Sequence, residues 1–312
     1  MRHFLNLIDL TADELNHLLT ESARLKDAHS RRIPSHSLSG RVVGLVFEKP
    51  SLRTRVSFEA GVAQLGGTSL YLPGNEVGLG WRESLADFSH TISQYLDALV
   101  LRVYQHKTLD GIAQVSGIPI INGLSDWSHP CQGLADVLTV RELFGTEAGR
   151  TVAFVGDGNN VYHSLALVGA TLGVEVRLAH PEGYAPSTRI VDRARILAGA
   201  SGGRLTFATD PYEVVAGADV IYTDAWTSMG QEAETEERRD AFARYQVNAQ
   251  LVAAAGADTM VMHCLPAHRG EEITSEVMDG SQSIIFDQSE NRLHLQKALL
   301  VETISGSTGR VG

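Results

Sequence analysis

The chain alternates short apolar, β-branched runs with stretches of helical periodicity, and it does so in two successive series. The first series runs Val42 to Phe47, Ser69 to Leu72, Ala98 to Val103 and Ile118 to Ile121, with helix-like stretches at Val56 to Leu65, Ser84 to Tyr95 and Leu109 to Val115. The second runs Thr151 to Val155, Val174 to Ala179, Leu205 to Ala208, Val220 to Tyr222, Met260 to Met262 and Ser283 to Phe286. Strand and helix at this spacing form βαβ units, which make neighbouring strands parallel and put helices on both faces. The predicted fold is α/β: two open, mostly parallel-sheet domains joined by interdomain helices, with the active site in the cleft between them. At 312 residues the chain has enough material for a core in each. A helix pattern from Gln132 to Phe144, ending at Gly145, marks the boundary. The expected domains are 1–130, with a C-terminal helix at about 291–305 packing back on it, and 131–290. At the start of the chain, Thr11 and Glu14 form a capping-box pattern before Leu15, Leu18, Leu19 and Leu25.

A net charge of -11 argues against nucleic acid or an anionic membrane as a partner, yet leaves room for a basic pocket that takes a small anion. No apolar run approaches the roughly 20 residues of a membrane span. The start, Met1 to Leu5, lacks a secretory h-region, so the expected location is cytoplasmic. The two cysteines, Cys131 and Cys264, are too few for a disulfide framework and lack zinc-site spacing; neither metal nor cofactor is expected.

In open α/β sheets ligands sit beyond the carboxyl ends of the strands, and there the chemistry-bearing residues cluster. After the first run come Ser51, Leu52, Arg53, Thr54 and Arg55, where Pro50 ends the strand and a helix begins. A helix start offers unpaired N–H groups, the hydroxyls add donors, and the guanidinium forks suit phosphate. Arg102 ends the third run, and His129-Pro130-Cys131-Gln132 follows the fourth, where His129 and Gln132 could polarise a carbonyl oxygen. In the second series Gly156-Asp157-Gly158 invites a dinucleotide reading, but Val161 stands where the fingerprint needs its third glycine. Asn159 and Asn160 in that turn suit a polar ligand. Asp224 to Gly230 and His263-Cys264-Leu265-Pro266 close the set. His263 should point away from Cys264, which favours a positioning role for the thiol over covalent catalysis.

Together, Ser51-Leu52-Arg53-Thr54-Arg55, His129-Pro130-Cys131-Gln132, Asp224 through Gly230 and His263-Cys264-Leu265-Pro266 resemble the motif set of the aspartate/ornithine carbamoyltransferase family, in order and spacing across nearly the whole chain. Ser228-Met229-Gly230 and the His263 to Pro266 run resemble its ornithine branch. The resemblance implies transfer of the carbamoyl group of carbamoyl phosphate to the side-chain amine of L-ornithine, giving citrulline and phosphate, by a homotrimer without cofactor. It implies that Ser51, Leu52, Arg53, Thr54 and Arg55 hold the phosphate, that Arg102, His129 and Gln132 contact the carbamoyl end, and that Cys264, Leu265 and Arg292 complete the site. Asn160, Asp224, Ser228 and Met229 would hold ornithine.

Two departures stand out. Leu52 replaces a small polar residue, and Gly78 falls where relatives carry a Gln or His that reaches the phosphate, a role Trp81 or Arg82 could take over. Three other readings compete: a sibling transferase using putrescine or an acylated ornithine, a nucleotide-dependent oxidoreductase resting on Gly156 to Gly158, and a catalytically silent relative.

Overall fold

A computed structural model describes residues 3–227, 230 and 232–305. The chain divides into two compact units, Met1–Cys131 with Arg292–Gly312, and Gln132–Asn291. Each is built on one all-parallel sheet.

The first unit holds strands β1 (Val42–Phe47), β2 (Thr68–Pro73), β3 (Ala98–Arg102) and β4 (Ile120–Leu124) in the order β2-β1-β3-β4. Its helices are α1 (Ala12–Ser30), α2 (Leu52–Gln64), the single turn α3 (Gly74–Val77), α4 (Leu85–Ile92) and α5 (His106–Val115). The Thr11 capping box forms as its sequence requires, with both reciprocal bonds present. β1 and β3 are buried along almost their whole length, as strands covered on both faces must be. Val46, Phe88, Leu99, Leu101, Leu109 and Ile112 share one core cluster.

The second unit opens within α6 (Pro130–Phe144) and carries β5 (Thr151–Val155), α7 (Asn160–Thr171), β6 (Glu175–Ala179), α8 (Thr188–Ser201), β7 (Arg204–Ala208), α9 (Pro211–Val215), β8 (Val220–Thr223), α10 (Thr235–Phe242), α11 (Ala249–Ala255), β9 (Met260–His263) and α12 (Ser275–Met278). Strand order is β7-β6-β5-β8-β9. The final helix, α13 (Ile285–Ser305), passes into the first unit at Arg292. The predicted strand Ser283 to Phe286 is instead the start of this helix, and Ser283 makes only an isolated bridge to Val261.

Each sheet has one point where the strand order reverses, between β1 and β3 in the first unit and between β5 and β8 in the second. Helices leave to opposite faces there and open a crevice at the carboxyl ends of the two strands. The motifs sit at these two points. Pro50 to Arg55 follow β1 and Arg102 ends β3, with Phe47 and Arg102 in register. Gly156 to Asn159 follow β5, and Asp224 follows β8.

Candidate active site

In the first unit α2 begins at the switch point. Ser51, extended at φ -160°, caps it by accepting the Thr54 N–H at 3.3 Å. The remaining free N–H groups of the first turn and the positive end of the dipole therefore face the crevice. Arg292, from α13, donates to Thr54 Oγ1 at 2.7 Å. Beside them Arg102 is buried, its Nε without a partner, on the side of the β3–β4 register shift where Gly123 is the extra residue. Desolvation first, then the charges of Arg292 and Arg53, lower its pKa to about 10. Among the described residues neither Arg53 nor Arg102 pairs with a carboxylate. The same forces act on His129: burial, then Arg292 and Arg102, hold its imidazole well below the usual range. Like charges are thus gathered in a dry place, which costs folding energy and favours an anionic ligand.

Arg55 is drawn elsewhere: its Nε donates to Glu59 at 3.0 Å and its guanidinium lies 3.7 Å from the centre of the Tyr71 ring. Leu52 is exposed, leaving only its backbone for an anion. Cys131 is fully buried, with its thiol pushed up to about 12 by desolvation and donating to the Asn122 carbonyl. Gly78 adopts φ +66° as the cap of α3, and an added Cβ would lie 2.8 Å from Arg82 Cβ and the Trp81 ring. A longer side chain is excluded there by backbone and space together. Arg82 donates to the Glu76 carbonyl at 2.9 Å and so closes that turn.

In the second unit Asp224 is the centre. Its Oδ1 accepts the Ala225 N–H at 2.8 Å and the Cys264 thiol at 2.9 Å, and its Oδ2 accepts Asn159 Nδ2 at 2.8 Å across the switch point. Asn159 also N-caps α7, accepting from Val161 and Tyr162. The asparagine that serves the fold is therefore Asn159, while Asn160 sits half-buried at the first helical position. Gly158 owes its identity to packing, because a Cβ would lie 2.3 Å from Pro186 N, and Val161 is buried in α7. Neither fact calls for a dinucleotide. Asp157 pairs with Arg238 at 2.8 Å, and burial nonetheless raises its pKa. Ser228 and Met229 lie outside the described residues.

Gln132, buried, donates Nε2 to Asp136 Oδ1 at 2.8 Å, and its Oε1 has no partner. The sequence reading had this amide polarise a carbonyl oxygen. With one amide hydrogen committed to Asp136, the amide keeps its oxygen as an acceptor and its second hydrogen as a donor, so it can also face an N–H group. Asp136 and Arg238 escape the sequence reading, and Asn159 is read there as a ligand contact rather than a cap, although its capping position and the i,i+4 spacing of Gln132 and Asp136 are available as signals.

Fold and site define a class: paired parallel α/β domains, one with a basic cradle and one with an acidic pocket, each at its sheet's switch point. Residues 2–142 match the carbamoyl-P binding domain of aspartate/ornithine carbamoyltransferase, and residues 148–303 match its Asp/Orn binding domain. The chain belongs to the aspartate/ornithine carbamoyltransferase family. It is 48% identical over 305 residues to the anabolic ornithine carbamoyltransferase of Pyrococcus furiosus, covering 98% of this chain and 97% of that protein. It is 46% identical over 303 residues to the ornithine carbamoyltransferase of Anoxybacillus flavithermus, covering 97% and 96%. Among solved structures, the Pyrococcus furiosus ornithine carbamoyltransferase superposes with a TM-score of 0.95 at 48% identity, covering 98% of this chain and 97% of that one. The anabolic enzyme of Campylobacter jejuni gives 0.92 at 34% identity, covering 98% and 100%.

Proposed function

We propose that this protein transfers the carbamoyl group of carbamoyl phosphate to the side-chain amine of L-ornithine, giving L-citrulline and phosphate. The observation that carries the reading is the cationic cluster of buried Arg102 and Arg292 with half-buried Arg53 around the start of α2. Ser51, Arg53, Thr54 and the first-turn N–H groups, Leu52's included, hold the phosphate, and Arg55 joins them by leaving Glu59. Arg102, the neutral imidazole of His129 and Arg292 face the carbamoyl carbonyl oxygen, while Gln132 Oε1 accepts from the carbamoyl nitrogen. Asp224 takes the α-ammonium of ornithine, Asn160 its carboxylate, and Ser228 and Met229 its chain; Cys264 and Leu265 complete the site.

The chemistry follows from the charges. A neutral amine attacks the carbamoyl carbon, an N–C bond forms, the C–O bond to phosphate breaks, and the nitrogen loses a proton. Negative charge grows first on the carbonyl oxygen and then on the departing phosphate, both beside fixed cations, so the transition state is stabilised without reorganisation. Holding the reacting atoms about 3–3.5 Å apart supplies the rest. The amine's solution pKa is near that of lysine, about 10, and a cationic, desolvated site favours its neutral form.

The protein acts as a homotrimer in the cytoplasm. Exposed Leu52 and Val56, one turn apart on α2, supply apolar surface for self-association, and no helix among the described residues is long and apolar enough to cross a membrane. Light scattering should give three times the chain mass. The decisive assay measures citrulline or its analogues from carbamoyl phosphate with ornithine, putrescine, acetylornithine and aspartate. Product with ornithine alone is expected; preference for another acceptor, or no product at all, would overturn the reading.

A further inference from the structure

Inside the second unit a chain of buried hydrogen bonds joins two of the motifs. Gln288, on α13 before the chain enters the first unit, accepts the His263 backbone N–H through Oε1 at 2.9 Å. Its Nε2 donates to Asp136 Oδ1 at 2.7 Å, the same oxygen that receives Gln132 Nε2 at 2.8 Å. All four residues are at most 1% exposed. The polarity of the chain is forced, because a backbone N–H can only donate and a carboxylate can only accept. Gln288 therefore has one satisfied orientation, and so does Gln132.

The turn that begins at His263 is clamped a second time through its side chain. His263 Nδ1 accepts the Leu265 N–H at 2.8 Å, so in the neutral ring Nε2 carries the proton and donates to buried Glu272 at 3.0 Å. Leu265 sits at φ +58°, a left-handed conformation that a residue with a Cβ rarely adopts. These bonds hold it there, and the Cys264 thiol on the same turn is aimed at Asp224. A buried polar network adds little net stability compared with apolar packing; what it gives is orientation.

We infer that Gln288 is a positioning residue for carbamoyl transfer: held between Asp136 and the backbone of His263, its amide sets both the acceptor face of Gln132 and the turn carrying Cys264 and Leu265. This rests on the proposed function, since both groups it aligns are assigned there to the substrates.

The test uses the full-length protein with Gln288→Leu, Gln288→Glu and Asp136→Asn. Three quantities are read: kcat for citrulline formation, the rate of Cys264 alkylation by iodoacetamide followed by peptide mass, and the thermal shift produced by inorganic phosphate. Gln288→Leu leaves Asp136 and the His263 N–H short of a partner, and Gln288→Glu sets a carboxylate against a carboxylate. Both should lose about a hundredfold in kcat, with Cys264 alkylation several-fold faster and the phosphate shift unchanged. Asp136→Asn keeps an oxygen that accepts both amides and should stay within about tenfold of wild type. The inference is overturned if both Gln288 variants keep kcat and Cys264 reactivity, if Asp136→Asn falls as far as they do, or if the phosphate shift disappears with kcat, which would mean general unfolding. If wild-type protein makes no citrulline, the transfer reading fails, while Cys264 alkylation still decides whether Gln288 fixes the turn.

Discussion

Arg102 shows how a single residue can be placed against the interest of the fold. Its charge is buried beside two others of the same sign, and its pKa is lowered to about 10 as a result. Arg102→Met keeps the volume and removes the repulsion. The free protein should become more stable, by about 1 kcal/mol on the scale of other function-relieving substitutions, while phosphate no longer raises its melting temperature. Urea unfolding with and without phosphate checks both. His129 carries the same strain in a form that pH can read. Burial, then Arg292 and Arg102, depress its folded pKa, whereas the unfolded chain binds a proton there near the usual value of about 6.5. The unfolded state thus holds more protons as the pH falls below that value. Stability should decline on acidification through this window by up to about 1.4 kcal/mol per pH unit from this group, and His129→Asn should remove that share. Denaturant midpoints between about pH 7 and pH 5 measure it.

Among the elements, the two helix starts at the switch points do different work. α2 presents its first turn to the anion with Ser51 as cap, whereas α7 gives its cap, Asn159, to hold Asp224. The turn before α7 is so close to the Pro186 backbone that Gly158→Ala should cost about 1–3 kcal/mol, read as a lower denaturant midpoint. What the sequence disclosed at this scale depended on range. The α2 start was legible because Pro50 and Ser51 are local signals, and β1 and β5 have the predicted limits because β-branched runs end abruptly there. Ser283 to Phe286 was misread because three successive apolar residues, Ile284, Ile285 and Phe286, look alike as a strand and as a helix start. Candidate site residues can be picked out because most of them end or follow a strand, whereas Arg292, on α13, comes only from the family resemblance. Their supports could not: Gln288 meets Asp136 across 152 positions, and nothing local in either neighbourhood announces it. Arg55 was placed with the phosphate by its motif, yet Glu59, one turn on, and Tyr71, on the next strand, hold it in the free protein.

For the whole molecule the telling fact is that the first unit is assembled from both ends of the described chain. Arg292 donates to Thr54 Oγ1 at the start of α2, and Lys297 on the same helix reaches the Leu25 carbonyl at 3.4 Å and Gln64 Oε1 at 3.1 Å. Saturating phosphate, at about a hundred times its Kd, should stabilise the protein by about 2.7 kcal/mol, and Arg292→Leu should abolish most of that gain. Differential scanning calorimetry reads it directly. The same layout sets an order of events during synthesis. The second unit is one continuous stretch and can close as soon as it leaves the ribosome, but the first, although its strands are made earlier, has to wait for α13. Until then α1 and α2 lack the helix that Lys297 ties to them, and the start of α2 lacks Arg292. A chain cut before α13 should therefore bind inorganic phosphate more weakly than one that carries it.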